Sequence, residues 1–204
     1  MTLKYEFIPG DEVVTPSGRK LKRIRALVTI TMSGVLPGDV GGYIESTDNL
    51  DQVSGDAWVS GNAQVSGNAL VFGATLVSGN AQVSGNARVS GNAQVSGNAQ
   101  VSGNAWVFGD ARVSGDARVS GNARVFGDAL VSPIGITGLL WDITVADTTM
   151  VIGCQPHTID EWYNFSDSEI SSMHPQALAL WNTHKPIIFS LIVTSGRYTI
   201  PSGG

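Results

Sequence analysis

The chain has 204 residues, 42% of them apolar, with a formal net charge of −5, which fits one or two globular domains. The charge is uneven, net −1 over residues 1–52, zero over 53–130 and −4 over 131–204, so no segment is basic enough for generic binding of duplex nucleic acid. Cys154 is the only cysteine, which excludes an internal disulfide and fits a reducing compartment. The opening MTLKYEFIPG lacks the apolar run of a signal peptide. No stretch reaches the roughly 18 apolar residues of a membrane span. A cytoplasmic location with no membrane partner is therefore the expectation.

Residues 1–52 read as a β cap. KYEFI and EVV flank Pro9-Gly10-Asp11 and predict two short strands. A turn at Thr15-Pro16-Ser17-Gly18 then leads into a longer strand from Arg19. The charged stretch RKLKR (residues 19–23) has the chemistry to grip an anion, although charges on an exposed strand edge also serve to block aggregation. Residues 33–52 read as an irregular first coil with Val40 and Ile44 pointing inward.

Residues 53–133 are a repeat. Thirteen complete hexads of the type VSGNAQ fill 53–130; Gly holds the third place in all of them and Ala the fifth in all but one, where Thr75 stands. A helix of 3.6 residues per turn cannot keep a six-residue stripe on one face, whereas a strand alternates with period two. Ala, the variable residue, Val and Ser thus read in, out, in, out. Gly-Asn or Gly-Asp makes a corner, because both residues tolerate positive φ. Three sides close an 18-residue triangular coil, and coils stack at the strand spacing of about 4.8 Å.

Residues 134–204 predict a small α+β domain. GLLWDITV and MVIGC read as a hairpin, and TIDEWYNF opens on a capping signal, Thr158 followed by Glu161. SDSEISSMHPQALALWN holds one or two helices, with Pro175 starting or interrupting one. PIIFSLIVT predicts helix continuing after Pro186. The Cys154–His157 gap suits a zinc pair or a Cys–His nucleophile, with His174 and His184 as further candidates. Plain structural or surface roles fit these residues at least as well, and no cofactor motif is present.

The VSGNAQ phrase resembles the hexapeptide repeat of left-handed parallel β-helices, a family of acyltransferases and carbonic anhydrases that are mostly trimers. LKRIRAL, GDVGGYIESTDNL and the run from GLLWDITV to IGCQPHTIDEW resemble uncharacterised phage and prophage hexapeptide-repeat proteins. The first resemblance implies a mainly β fold, a left-handed parallel β-helix with caps at both ends. The second implies a viral or prophage origin. Enzymes of the β-helix family work through a histidine on a coil, and the hexads contain no His, Cys, Glu, Lys or Tyr. A base poised near neutral pH is therefore missing from the repeat, and no catalytic residue is assigned there.

The outward positions sort into three faces. Phe72, Phe108 and Phe126 recur on one, and are expected to share it with Trp58 and Leu76 as a homotrimer interface. Ser and Gln make the second plain. Arg88, Trp106 and Arg124 mark the third, where Arg flanking Trp makes either a cation–π stack that only helps packing or a site for a small planar anion, with Phe108 and Arg112 contributed across the subunit boundary. The Asp110–Asp128 pair has too few ligands for a cation site by itself. The expected function is thus a non-catalytic, phage-type homotrimer that sequesters a nucleotide-like immune signal. The competing expectations are a rigid or adhesive virion spacer and an enzyme with its chemistry in the cap.

Overall fold

The computed structural model describes residues 3–200. The N-terminal sheet consists of β1 (Tyr5–Val14), β2 (Lys20–Ala26) and β3 (Val40–Ile44) in that order, antiparallel throughout. The two strands expected around Pro9-Gly10-Asp11 are a single strand. Both halves pair with β2, and the register slips between Phe7 and Glu12, where Gly10 takes φ 81°. A positive-φ glycine here makes a bulge instead of a reversal.

β2 is the central of these three strands, not an edge, and most of the cations on and beside it meet acids. Arg19 reaches Glu45 (2.9 Å), Arg25 reaches Glu6 (2.6 Å), Lys20 pairs with Glu12, and Arg23 donates to the Tyr43 hydroxyl (2.8 Å). RKLKR therefore knits the sheet together, with Lys22 over the Phe7 ring (5.3 Å) in place of an acid partner. The Gly67 N–H, more than the Arg19 guanidinium, holds the Glu45 carboxyl below the usual carboxylate range.

Val40 is also corrected. It is 52% exposed while Ile44 is fully buried. Arg23 pairs with Tyr43 but Arg25 with Val40, so three steps on β3 face two on β2. That bulge flips the side-chain parity between the two positions.

β3 runs parallel to the first strand of its solenoid sheet, with Tyr43 opposite Gln64 and Ile44 opposite Val65. Twelve two-residue strands follow, from β4 (Trp58–Val59) to β15 (Arg124–Val125), arranged as three parallel sheets. Each strand pairs with the one 18 residues away, as Gln82 with Gln100 and Trp106 with Arg124. The stacking bonds are regular: Gln82 N–H donates to Ala99 C=O and Ser84 N–H to Val101 C=O, both at 2.9 Å. Inside, the Ala and Val columns are almost wholly buried, from Ala57 and Val59 to Val125 and Ala129, with Ala123 only partly so. The triangular interior admits only such small side chains. Residues 1–52 contribute Tyr5, Ile24, Ile44 and Leu50 to this same core.

The corners differ from expectation in one respect. The hexad glycines from Gly55 to Gly121 have φ between 64° and 83°, but no non-glycine residue has positive φ among the described residues. At Gly91 a Cβ would also lie 2.8 Å from the Gly109 carbonyl oxygen of the next coil. The corner is thus glycine's alone. The asparagines serve another purpose, described below.

The last coil meets the C-terminal domain. A four-stranded antiparallel sheet, β16 (Ile134–Ile136), β17 (Ile143–Val145), β18 (Thr149–Ile152) and β19 (Gln155–Thr158), carries three helices. These are α1 (Ile159–Asn164), α2 (Asp167–Met173) and α3 (Ala177–Thr194). β17 and β18 form the expected hairpin. Thr158 and Glu161 close the expected capping box, Pro175 falls between two helices, and α3 runs on through Pro186. This domain has its own core around Met150, Trp162, Ile170, Trp181 and Phe189.

Candidate functional site

In a strand the variable residue and the second residue of the following hexad flank one buried Val. They therefore point out of the same face. The aromatic stripe and the arginine stripe consequently coincide. Leu70, Arg88, Trp106 and Arg124 occupy one sheet in register, and Phe72, Ser90, Phe108 and Phe126 follow two residues later on the same strands. Trp106 lies against Phe108 with ring centroids 4.8 Å apart, Phe108 against Phe126 at 5.6 Å, and the Trp106 N–H donates to Ser90 Oγ at 2.9 Å. The reading that placed Phe108 across a subunit boundary from Trp106 is corrected: both stand on one protomer. Its error lay in assigning Phe72 the variable residue that follows it around the corner, where the one preceding it on the strand applies.

Other predicted members disperse. Trp58 is 1% exposed and cannot line an interface. It is sealed inside the protomer edge-to-face with Tyr5 at 6.5 Å, above Gly41, where a Cβ would lie 2.7 Å from its ring. Leu76 is half-buried opposite it on the same sheet, and Arg112 stands exposed two coils further along that sheet. Arg124 is half-buried, and its Nη1 donates to the Gly153 carbonyl. Arg88 is exposed.

Four of the large side chains on this face are more than a third exposed: Leu70 36%, Phe72 38%, Trp106 37% and Phe126 38%. Phe126 also covers the backbone, for a Cβ on Gly109 would lie 2.8 Å from its ring. The second face shows Gln64, Gln82, Gln100 and Arg118, and the third Gln94 and Arg112.

Amide ladders at the corners are absent from the sequence reading. Asn62 Nδ2 donates to Asn80, Asn80 to Asn98, and Asn98 to Asp116. A second column runs from Asn68 through Asn86, Asn104 and Asn122 to Asp142, and Asn92 donates to Asp110 at 2.9 Å. Each column ends on a carboxylate, which accepts without leaving an unpaired N–H. The signal was present in the sequence for two columns, where Asn gives way to Asp at Asp116 and Asp110; the second column ends on Asp142 of the cap, outside the repeat.

The cap places its chemistry differently from the sequence spacing. Cys154 is exposed and lines a pocket of about 90 Å³ with Trp141, Met173, His174 and Trp181. His157 does not line it and packs edge-on to Trp162 and Phe165 at 5.3 and 4.9 Å. His184 bonds the Leu180 carbonyl one turn back on α3. Among the described residues no three His, Cys, Asp or Glu side chains converge as a metal site would require, and no helix is long and apolar enough to cross a membrane.

The hexads match the family described as YdcK beta solenoid repeat, over residues 63–79, 81–97, 93–109, 99–115, 111–123 and 117–132. Residues 58–125 are a parallel β-solenoid of such repeats. No curated protein matches it. A β-solenoid is a scaffold shared by many activities, so function must come from what the solenoid displays. This solenoid displays one aromatic and cationic face between two polar ones.

Proposed function

We propose that this β-solenoid is a non-catalytic binding protein that self-associates through its aromatic and arginine face. One observation carries the reading: Leu70, Phe72, Trp106 and Phe126 are each more than a third exposed on a single sheet, while the other two faces present mainly Gln, Arg and Ser, with Leu76 half-buried. Exposed apolar side chains aligned on one face in this way mark an interface. Fully burying an exposed Phe contributes roughly 1.5–3 kcal/mol, and Phe72 and Phe126, each 38% exposed, gain part of that on association. The occupant we favour is the neighbouring face of a second copy, carrying Gln94 and Arg112. Repeated head-to-tail, that contact closes a ring, and three copies make a homotrimer.

Arg88, the Trp106 edge and Arg112 of the adjoining subunit then border a cleft suited to a planar anion. A ring would stack on the indole, and guanidinium groups would take phosphate oxygens. In its finest form, carried by the resemblance to phage proteins, the ligand is a nucleotide immune signal held without being changed. A second reading, a rigid spacer, is favoured by the unbroken 18-residue register of the twelve strands.

Sedimentation velocity and nucleotide calorimetry test the proposal. The wild type should sediment as a trimer and bind a nucleotide, Phe72→Asp should sediment as a folded monomer, and Trp106→Ala should lose the nucleotide. A wild-type monomer overturns self-association, and a trimer that takes no nucleotide favours the spacer.

A further inference from the structure

Where the last coil meets the cap, the surface folds inward. A pocket of about 460 Å³ is lined by Asn104, Asn122, Arg124, Trp141, Asp142 and Thr144, within the size range of small-molecule sites. We propose that it binds a neutral polyhydroxylated ligand, of the sugar or polyol class. The inference goes beyond the reading of the aromatic face and does not depend on self-association.

The pocket is held in shape by bonds that leave part of each polar group unspent. Gly153 is the pivot. Its N–H donates to the Asp142 carbonyl (3.0 Å), and its carbonyl accepts from Arg124 Nη1. It takes φ 61°, and a Cβ there would lie 3.1 Å from the Trp141 ring. Arg124 thereby has one nitrogen fixed, and its Nε and Nη2 carry no protein partner among the described residues. Asp142 Oδ2 receives the end of the amide ladder from Asn122 (3.3 Å), while Oδ1 has no donor among the described residues. Thr144 Oγ1 accepts from the Arg124 backbone N–H (3.0 Å), which leaves its own proton to give. Asn122 and Asn104 each spend one amide proton within the ladder and keep another.

The ligand class follows from what remains. The free groups are a guanidinium edge, a carboxylate oxygen, a hydroxyl and amide protons, beside the half-buried face of Trp141. An anion would meet the Asp142 carboxylate, and a cation would meet Arg124. A sugar hydroxyl both donates and accepts, so it satisfies the two together, and the C–H face of a pyranose lies well on an indole. The rigid coil supplies one wall and the cap sheet the other, so the donors and acceptors are set before the ligand arrives.

The test is saturation-transfer NMR on the full chain, with maltose, N-acetylglucosamine and sorbitol as neutral probes and AMP and inorganic phosphate as charged ones. A neutral probe should receive saturation and perturb the Trp141 indole resonance. Asp142→Asn should weaken its binding about tenfold or more, because a charged acceptor is lost, while the ladder bond from Asn122 is retained. Trp141→Phe should weaken it less, and Arg88→Ala, on the aromatic face, should leave it unchanged. Absence of transfer to all three neutral probes, binding indifferent to Asp142→Asn, or a response of Trp141 to AMP or phosphate alone would each overturn the proposal.

Discussion

At the residue scale, the repeat is governed by what its interior refuses. Ala at the fifth place and Val at the first are buried because the triangular coil has room for little more, and Thr75 is the one polar intruder. Its side chain is fully buried and Oγ1 has no hydrogen-bond partner. A buried hydroxyl left unsatisfied costs about 1–3 kcal/mol. Thr75→Val keeps the shape and removes the orphan group, so it should stabilise the protein by about 1–2 kcal/mol, read as a higher urea midpoint at unchanged slope. A midpoint that stays or falls would show that Thr75 finds a partner in solution. Asn at the fourth place repays the same attention. Its backbone needs no left-handed conformation, and its amide does the work by bonding the coil above and below.

At the element scale, the end of a solenoid is its exposed edge. Inner strands satisfy their N–H groups on the next coil, as Trp106 does on the Ala123 carbonyl. The final coil has no successor, and cap side chains substitute for it. Arg118 N–H donates to Ser132 Oγ (2.9 Å), Arg124 N–H to Thr144 Oγ1 (3.0 Å), and Asp147 returns a carboxylate to the Leu130 N–H. Hydroxyls thus stand where carbonyls of a further coil would be. Thr144→Val should cost about 1–3 kcal/mol by stranding the Arg124 amide, and Thr144→Ser should restore most of it. Hydrogen exchange should localise the loss, with the Arg124 amide opening faster while inner-coil amides such as Gln82 stay protected. Uniform acceleration along the whole solenoid would contradict this assignment.

At the scale of the whole molecule, two periods are superposed: six residues for the fold and 18 for the faces. Repeat proteins are stabilised by nearest-neighbour stacking, so the fold depends on the first period and the surface stripes on the second. Deleting residues 77–94 removes one complete coil and keeps Phe72 in line with Phe108 and Phe126. Deleting 77–82 removes one side, and Phe72 moves to a different face from the other two. Both deletion proteins should fold, with β-rich circular dichroism and cooperative melting. Only the 18-residue deletion should still self-associate by sedimentation. Equal association of the two would detach assembly from the aromatic face.

The sequence by itself determined the coil: strict Val and Ala columns separated by Gly admit one periodic structure, because a helix cannot hold a six-residue stripe and the interior holds only small side chains. It also determined the start of α1, where Thr158 and Glu161 stand three residues apart on the chain. Burial of Trp58 was decided only by tertiary structure, since an antiparallel sheet from residues 5–44 folds over it. So was the outward turn of Val40, which follows from a bulge set by pairing with β2. The tertiary structure also decided the junction pocket, because Asn104, Arg124 and Asp142 belong to separate coils and domains and converge only when the cap docks. Local periodicity is written in nearest neighbours along the chain, while a site built from the end of one element and the edge of another is written nowhere until the two meet.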